Sequence, residues 1–166
     1  MCSSDPTIYR ETVTETDMEA VRTVVDSSGF FSAEEISTAM EQVHERLAGG
    51  PASDYHFLFA ERAGRVIGYT CFGPIAGTAA GFDLYWIAVH NEFRGYGAGK
   101  ELLERSEKII CRMGGRRIYI ETSSRDQYRP TRTFYESCGY QDEAHIADFY
   151  SPGDAKIIYV KVMQTP

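Results

Sequence analysis

The stretch Asp83–Lys100, DLYWIAVHNEFRGYGAGK, carries the reading of the whole chain. Leu84 to Val89 is an almost unbroken apolar and aromatic run, of a length that suits a buried strand. His90 to Phe93 is a polar connection of the length common between a strand and a helix. Arg94-Gly95-Tyr96-Gly97-Ala98-Gly99-Lys100 then sets glycines at alternate positions just before a helical pattern begins. Glycines in such a turn let the backbone bend tightly and approach a ligand closely, with several N–H groups pointing one way. The helix that follows opens with unpaired N–H groups and the positive end of its macrodipole, which together suit a phosphate. Read alone, the turn is either a phosphate cradle or an ordinary glycine-rich connection.

The rest of the chain bounds the choice. Its 166 residues fit one domain spanning 1–166, with 43% hydrophobic and 13% aromatic residues, the composition of a folded globular protein. Asp and Glu outnumber Lys and Arg by 24 to 17, a formal net charge of −7. That balance argues against a nucleic-acid binder, which needs a positive field, and is compatible with a cationic or amine acceptor. Cys2, Cys71, Cys111 and Cys138 show neither CxxC pairing nor the density of a disulfide scaffold, so reduced thiols are expected. The four histidines match no metal-ligand spacing, and no metal is expected. There is no signal-like start and no window approaching a membrane span, so the expected setting is cytoplasmic, without a membrane partner.

Around the central stretch the pattern alternates between strands and helices. Thr7–Val13 reads as a first strand. Thr16-Asp17-Met18-Glu19 and Ser32-Ala33-Glu34-Glu35 are two capping-box sequences, each opening a helix with apolar residues on one face. Tyr55–Glu61 and Arg65–Phe72 form a hairpin pattern about Arg62-Ala63-Gly64, and Gly73–Gly81 reads as a loop. After the glycine turn a helix is expected over Ala98–Met113, then a strand over Arg117–Thr122 with a lone charge at Glu121. Pro130 suits the first turn of a further helix, which Gly139 ends. Tyr140–Tyr150 and Ala155–Met163 flank the turn sequence Ser151-Pro152-Gly153-Asp154. The sum is an α/β domain with a mixed sheet.

Two blocks turn this pattern into a family resemblance. Trp86-Ile87-Ala88-Val89 followed by Arg94-Gly95-Tyr96-Gly97-Ala98-Gly99 resembles the strand and the Arg/Gln-x-x-Gly-x-Gly/Ala pyrophosphate loop of the GNAT (GCN5-related N-acetyltransferase) superfamily. Phe134-Tyr135-Glu136-Ser137-Cys138-Gly139-Tyr140 is similar to that family's Leu-Tyr-Glu-x-x-Gly-Phe block. The element order agrees over nearly the whole chain. The resemblance implies a central twisted, mixed and mostly antiparallel sheet of about six or seven strands, flanked by about four helices. It further implies a splay between the fourth and fifth strands and a coenzyme A-binding core over about residues 82–140.

The implied activity is acetyl transfer from acetyl-coenzyme A to a primary amine of a small molecule or peptide, by direct attack in a ternary complex. A homodimer is compatible with the resemblance. Amides around Gly95, Gly97, Ala98 and Gly99, within the Arg94–Lys100 turn that also carries Tyr96, would hold the pyrophosphate, with Arg94 and Lys100 adding charge. Backbone groups of the Ile87-Ala88-Val89 segment would pair with pantetheine as an added strand. Tyr135 would protonate or hydrogen-bond the departing thiolate. Two carboxylates compete as base: Asp83 on the first strand and Glu121 on the next. Glu121 is favoured, because a charge among Ile118, Tyr119, Ile120 and Thr122 is hard to explain as mere surface; its bland alternative is a partner for Arg116, Arg117 or Arg125.

The chain departs from the family at one point. Tyr128 stands where the family commonly has Asn, and Arg132 or Arg129 nearby would touch pantetheine or the adenosine phosphate. Cys138 has no histidine placed by sequence to activate it and reads as a structural thiol. A non-catalytic acyl-coenzyme A-binding module is the alternative function. A phosphate-binding nucleotide protein is excluded, because Glu101, not Ser or Thr, follows Lys100.

Overall fold

The computed structural model describes residues 5–164; Cys2 lies outside the described residues. Seven strands stand in the order β1-β2-β3-β4-β5-β7-β6 in one mixed sheet. They are β1 (Ile8–Arg10), β2 (His56–Arg62), β3 (Arg65–Pro74), β4 (Gly81–Val89), β5 (Arg117–Ser123), β6 (Gln141–Ser151) and β7 (Asp154–Val162). Four α-helices accompany them: α1 (Asp17–Asp26), α2 (Ala33–Gly49), α3 (Ala98–Arg112) and α4 (Arg129–Ser137). This is the architecture expected from the two sequence blocks. The chain forms two compact units, one from residues up to Gly73 with Trp86–Lys108, the other from Pro74–Tyr85 with residues from Ile109 onward.

In the first unit, α1 and α2 cover the apolar face of the β2–β3 hairpin. Val21, Val24 and Val25 of α1 and Ala39 and Val43 of α2 are buried with Phe57, Phe59, Tyr69 and Cys71. The hairpin is antiparallel, Phe59 opposite Tyr69, and turns through Ala63 and Gly64, both at positive φ. That turn follows from a two-residue connection matched to the twist of its strands. Thr70 of β3 and Ser106 of α3 share a buried hydrogen bond of 2.6 Å.

The two capping boxes fare differently. Ser32 holds α2 as expected: its Oγ accepts from the Glu35 amide at 3.1 Å and the Glu35 carboxylate accepts from the Ser32 amide at 2.7 Å. Thr16 does not cap α1; it is itself helical and makes no side-chain cap bond. Asp17 takes over instead, 1% exposed, accepting from the Thr14 amide at 2.7 Å and from both Arg10 nitrogens at 2.6 and 2.8 Å. The Arg10 guanidinium is a better partner for that carboxylate than an uncharged amide is. It also binds Glu61 at 2.7 Å, fastening the three-residue β1 to β2.

In the second unit β7 lies between β5 and β6, antiparallel to both. Gly81, Phe82 and Asp83 pair in parallel with Arg117, Ile118 and Tyr119. Among the described residues that pairing spans only these positions, so β4 and β5 part after Asp83, the splay that was expected. Helix α4 begins with Pro130 in its first turn and ends at Ser137, and Gly139 follows at φ 89°.

Candidate active site

The glycine turn belongs to the first unit. Gly95 and Gly97 have φ of 84° and 86°, a region that favours glycine, and a Cβ on either would meet nothing within 4 Å. The need for glycine is therefore conformational rather than a matter of crowding. The Gly97 carbonyl accepts from the Glu101 amide at 3.1 Å and starts α3. Amides of the first turn, those of Ala98, Gly99 and Lys100, lie ahead of the intrahelical ladder. Arg94 and Tyr96 are exposed. Arg94 Nε donates to the Val89 carbonyl at 3.3 Å, while Lys100 Nζ lies 3.9 Å from Glu104 on its own helix.

The turn is fastened from behind. The His90 amide donates to the Ile67 carbonyl at 2.8 Å, and the Asn91 amide donates to Ser27 Oγ at 3.0 Å. His90 Nδ1 accepts from the Glu92 amide at 3.2 Å. Burial, then the Arg65 charge, push the His90 imidazolium below its ordinary range, which favours the neutral ring that this bond needs. The Phe93 ring has guanidinium groups of Arg62 and Arg65 at 5.7 and 5.4 Å. In the adjoining strand Ala88 is buried and Ile87 and Val89 are half-buried.

The candidate bases belong to the second unit, and strand register brings them together. Asp83 lies opposite Tyr119, and Glu121 lies opposite Ile158. Residues two apart on a strand share a face, so Asp83, Glu121 and Lys156 project on the same side of the sheet. Glu121 is half-exposed and pairs with Lys156 Nζ at 2.9 Å. Its partner is thus Lys156, not one of the arginines that the sequence offered. Arg125 binds Asp154 at 3.2 Å and Arg116 Nη1 donates to the Gly115 carbonyl at 2.8 Å. Lys156 Nζ also sits 3.8 Å from the centre of the Phe149 ring.

Asp83 has a different environment. Burial raises its carboxyl above the ordinary range, Glu121 raises it further, and Lys156 opposes both. Burial, with Glu121 next, likewise raises the Tyr150 phenol. Lys156 is the residue that sequence reasoning missed. Its signal was there: it is a charge beside the apolar run Ile157–Val160, the same kind of anomaly that singled out Glu121.

Tyr135 is 6% exposed on α4, with the rings of Phe134, Tyr140 and Tyr159 at 5.7, 6.1 and 6.0 Å. Burial drives its phenol far above the usual range, so the hydroxyl keeps its proton. Tyr159 donates to Glu136 at 2.9 Å; burial and that bond push its phenol up to about 12. Arg132 Nη1 donates to the Ser123 and Arg125 carbonyls at 2.8 and 2.9 Å, bracing the loop after β5. Cys138 is half-buried and, among the described residues, forms no disulfide.

Comparison with known proteins agrees with this architecture. Residues 53–142 match the family model described as an acetyltransferase (GNAT) domain. A crystal structure of a protein from Desulfovibrio desulfuricans, assigned to the GNAT acetyltransferases, is 42% identical with a TM-score of 0.93, covering 95% of this chain and 99% of that one. The PaiA N-acetyltransferase of Thermoplasma acidophilum, solved with coenzyme A, is 21% identical with a TM-score of 0.70, covering 95% and 99%. An amino-acid acetyltransferase of Pseudomonas putida (strain GB-1) is 36% identical over 81 residues, which are 49% of this chain and 18% of that protein. The chain therefore matches less than a fifth of that relative's length.

Proposed function

Because the chain belongs to the GNAT acetyltransferase family, we propose that it transfers an acetyl group from acetyl-coenzyme A to a primary amine of a small molecule or peptide. The observation that carries the reading is the Arg94–Lys100 turn, whose positive-φ glycines leave open space ahead of a helix N-terminus. That arrangement suits a pyrophosphate, and Arg94 and Lys100 supply charge for it. Coenzyme A in complex with the Thermoplasma relative supports the same choice of donor. The Ile87–Val89 backbone is the expected partner of pantetheine, and Arg132 keeps donors beyond Nη1 for a phosphate.

When bound, acetyl-coenzyme A supplies the acetyl group as an activated thioester. The chain supplies proton management. Asp83 takes the proton of the acceptor's ammonium, since its carboxyl is raised toward the amine while Glu121 is neutralised by Lys156. This reverses the preference for Glu121 drawn from sequence. Tyr135, which retains its proton, donates it or a hydrogen bond to the departing sulfur. Attack is direct, with no acyl-enzyme on Cys138.

The test is coenzyme release from acetyl-coenzyme A across a panel of polyamines, aminoglycosides, amino acids and N-terminal peptides, with products identified by mass spectrometry. Release with at least one amine, and loss of the acidic limb of its pH–rate profile in Asp83→Asn, are expected. Tight coenzyme binding without release for any amine would favour the non-catalytic binding module.

A further inference from the structure

We propose that Lys156 is a positioning residue that selects the base: its ammonium occupies Glu121 and leaves Asp83 as the carboxylate that receives the proton. The inference deepens the acetyl-transfer reading and rests on it for its functional meaning. Its physical content concerns three side chains on one face of the sheet within one compact unit.

Two carboxylates on one sheet face, without a cation, share their last proton, and neither is a defined base. Lys156 breaks that equivalence. It lies 2.9 Å from Glu121 and its side chain is 12% exposed against 50% for Glu121. The Phe149 ring at 3.8 Å faces the same ammonium. A cation so enclosed has few other places to go, so the Glu121–Lys156 pair is held more firmly than a freely exposed one. Glu121 thus has its cation beside it, and its charge disfavours ionisation of Asp83. The groups facing Asp83 are Tyr119, directly opposite it, and Glu121 from β5 and Lys156 from β7, and Tyr150 of β6 feels the Glu121 charge in turn. Asp83 is also more buried than Glu121, so the proton finds its better home there.

The sign of each substitution follows. Lys156→Met removes a neighbouring positive charge and uncovers Glu121, so the Asp83 midpoint rises. Glu121→Gln removes a negative charge and leaves the ammonium, so the midpoint falls. Lys156→Arg keeps the charge and holds the midpoint near its original place. A purely structural role for Lys156 has no reason to produce opposite shifts at a third residue.

The experiment is a carbon-13 NMR titration of side-chain carboxyls in the full chain, with Asp83 assigned by the loss of its signal in Asp83→Asn. The expected rise in Lys156→Met is about one pH unit or more, the size of a lost neighbouring opposite charge. An unmoved or lowered Asp83 midpoint in Lys156→Met would overturn the proposal, as would Glu121 titrating above Asp83 in the unaltered protein. If Lys156→Met does not fold, the half-exposed Glu121→Gln decides: a fall supports the proposal, and no fall overturns it. Because the titration needs no turnover, the two readings separate. Shifts without acetyl transfer to any amine sink the enzymatic reading alone, and transfer with unmoved midpoints sinks the role of Lys156 alone.

Discussion

As the proposed base, Asp83 meets two demands that oppose each other. A base must be ionised at the working pH, yet burial and Glu121 both disfavour its charge. A carboxyl whose folded-state pKa lies above its unfolded value contributes stability below the unfolded pKa and loses it as pH rises through the folded one. At neutral pH the ionised Asp83 is therefore a net cost to folding. Asp83→Asn is expected to raise the thermal midpoint at pH 7 to 8 while abolishing most turnover, and scanning calorimetry beside a rate assay checks both. Tyr135→Phe keeps the aromatic packing against Tyr140 and Tyr159 but removes the hydroxyl proposed as proton donor. It should lower kcat by about 10²-fold with little change in the KM for acetyl-coenzyme A. An unaltered kcat would end the role given to Tyr135. At this scale the sequence blocks named the residues but not their partners. Glu121 and Lys156 are 35 positions apart, and only the register of β5 on β7 makes them neighbours.

Elements whose signals are local were readable, and those decided by a distant charge were not. The hairpin turn at Ala63-Gly64, the Pro130 start of α4 and the Ser32 cap each depend on residues a few positions apart. Thr16-Asp17-Met18-Glu19 carries the same capping pattern as the Ser32 box, yet Arg10 holds Asp17 and Thr16 takes helical dihedrals instead of the extended ones of a cap. The first strand was read too long for a related reason. Only Ile8–Arg10 pairs with β2, after which the chain turns toward the Thr14–Asp17 contact. The contrast yields a paired measurement by denaturant unfolding. Ser32→Ala should cost about 1 kcal/mol, Thr16→Ala only a few tenths, and Asp17→Ala about 2–3 kcal/mol, because it removes a buried carboxylate that accepts from Arg10 and the Thr14 amide together. Equal losses at Ser32 and Thr16 would mean that the two boxes are equivalent after all.

For the whole molecule, the tyrosines buried in the core give its stability a particular dependence on pH. The chain has 11 tyrosines. Burial is the first cause raising the phenols of Tyr9, Tyr55, Tyr69, Tyr135, Tyr150 and Tyr159. Tyr69 is wholly buried among Phe57 and Phe59, and its hydroxyl has no hydrogen-bond partner among the described residues, so its ionisation inside the fold is strongly disfavoured. In the unfolded chain all of these groups ionise near the ordinary value of about 10. The unfolded state therefore releases protons first, and each raised phenol contributes stability that is intact below about pH 10 and lost as pH climbs toward the folded value. For Tyr159 that window closes at about 12. Phenolate absorbance should rise in two stages as pH increases. The tyrosines at the surface ionise first with the far-ultraviolet circular dichroism unchanged. Tyr69, Tyr135 and Tyr159, the buried members of the raised set, then ionise in a steep step that coincides with loss of the dichroism, because those rings reach solvent only when the core opens. A single smooth titration of every tyrosine with the dichroism intact would contradict the burial on which both the core and the proton-retaining role of Tyr135 depend.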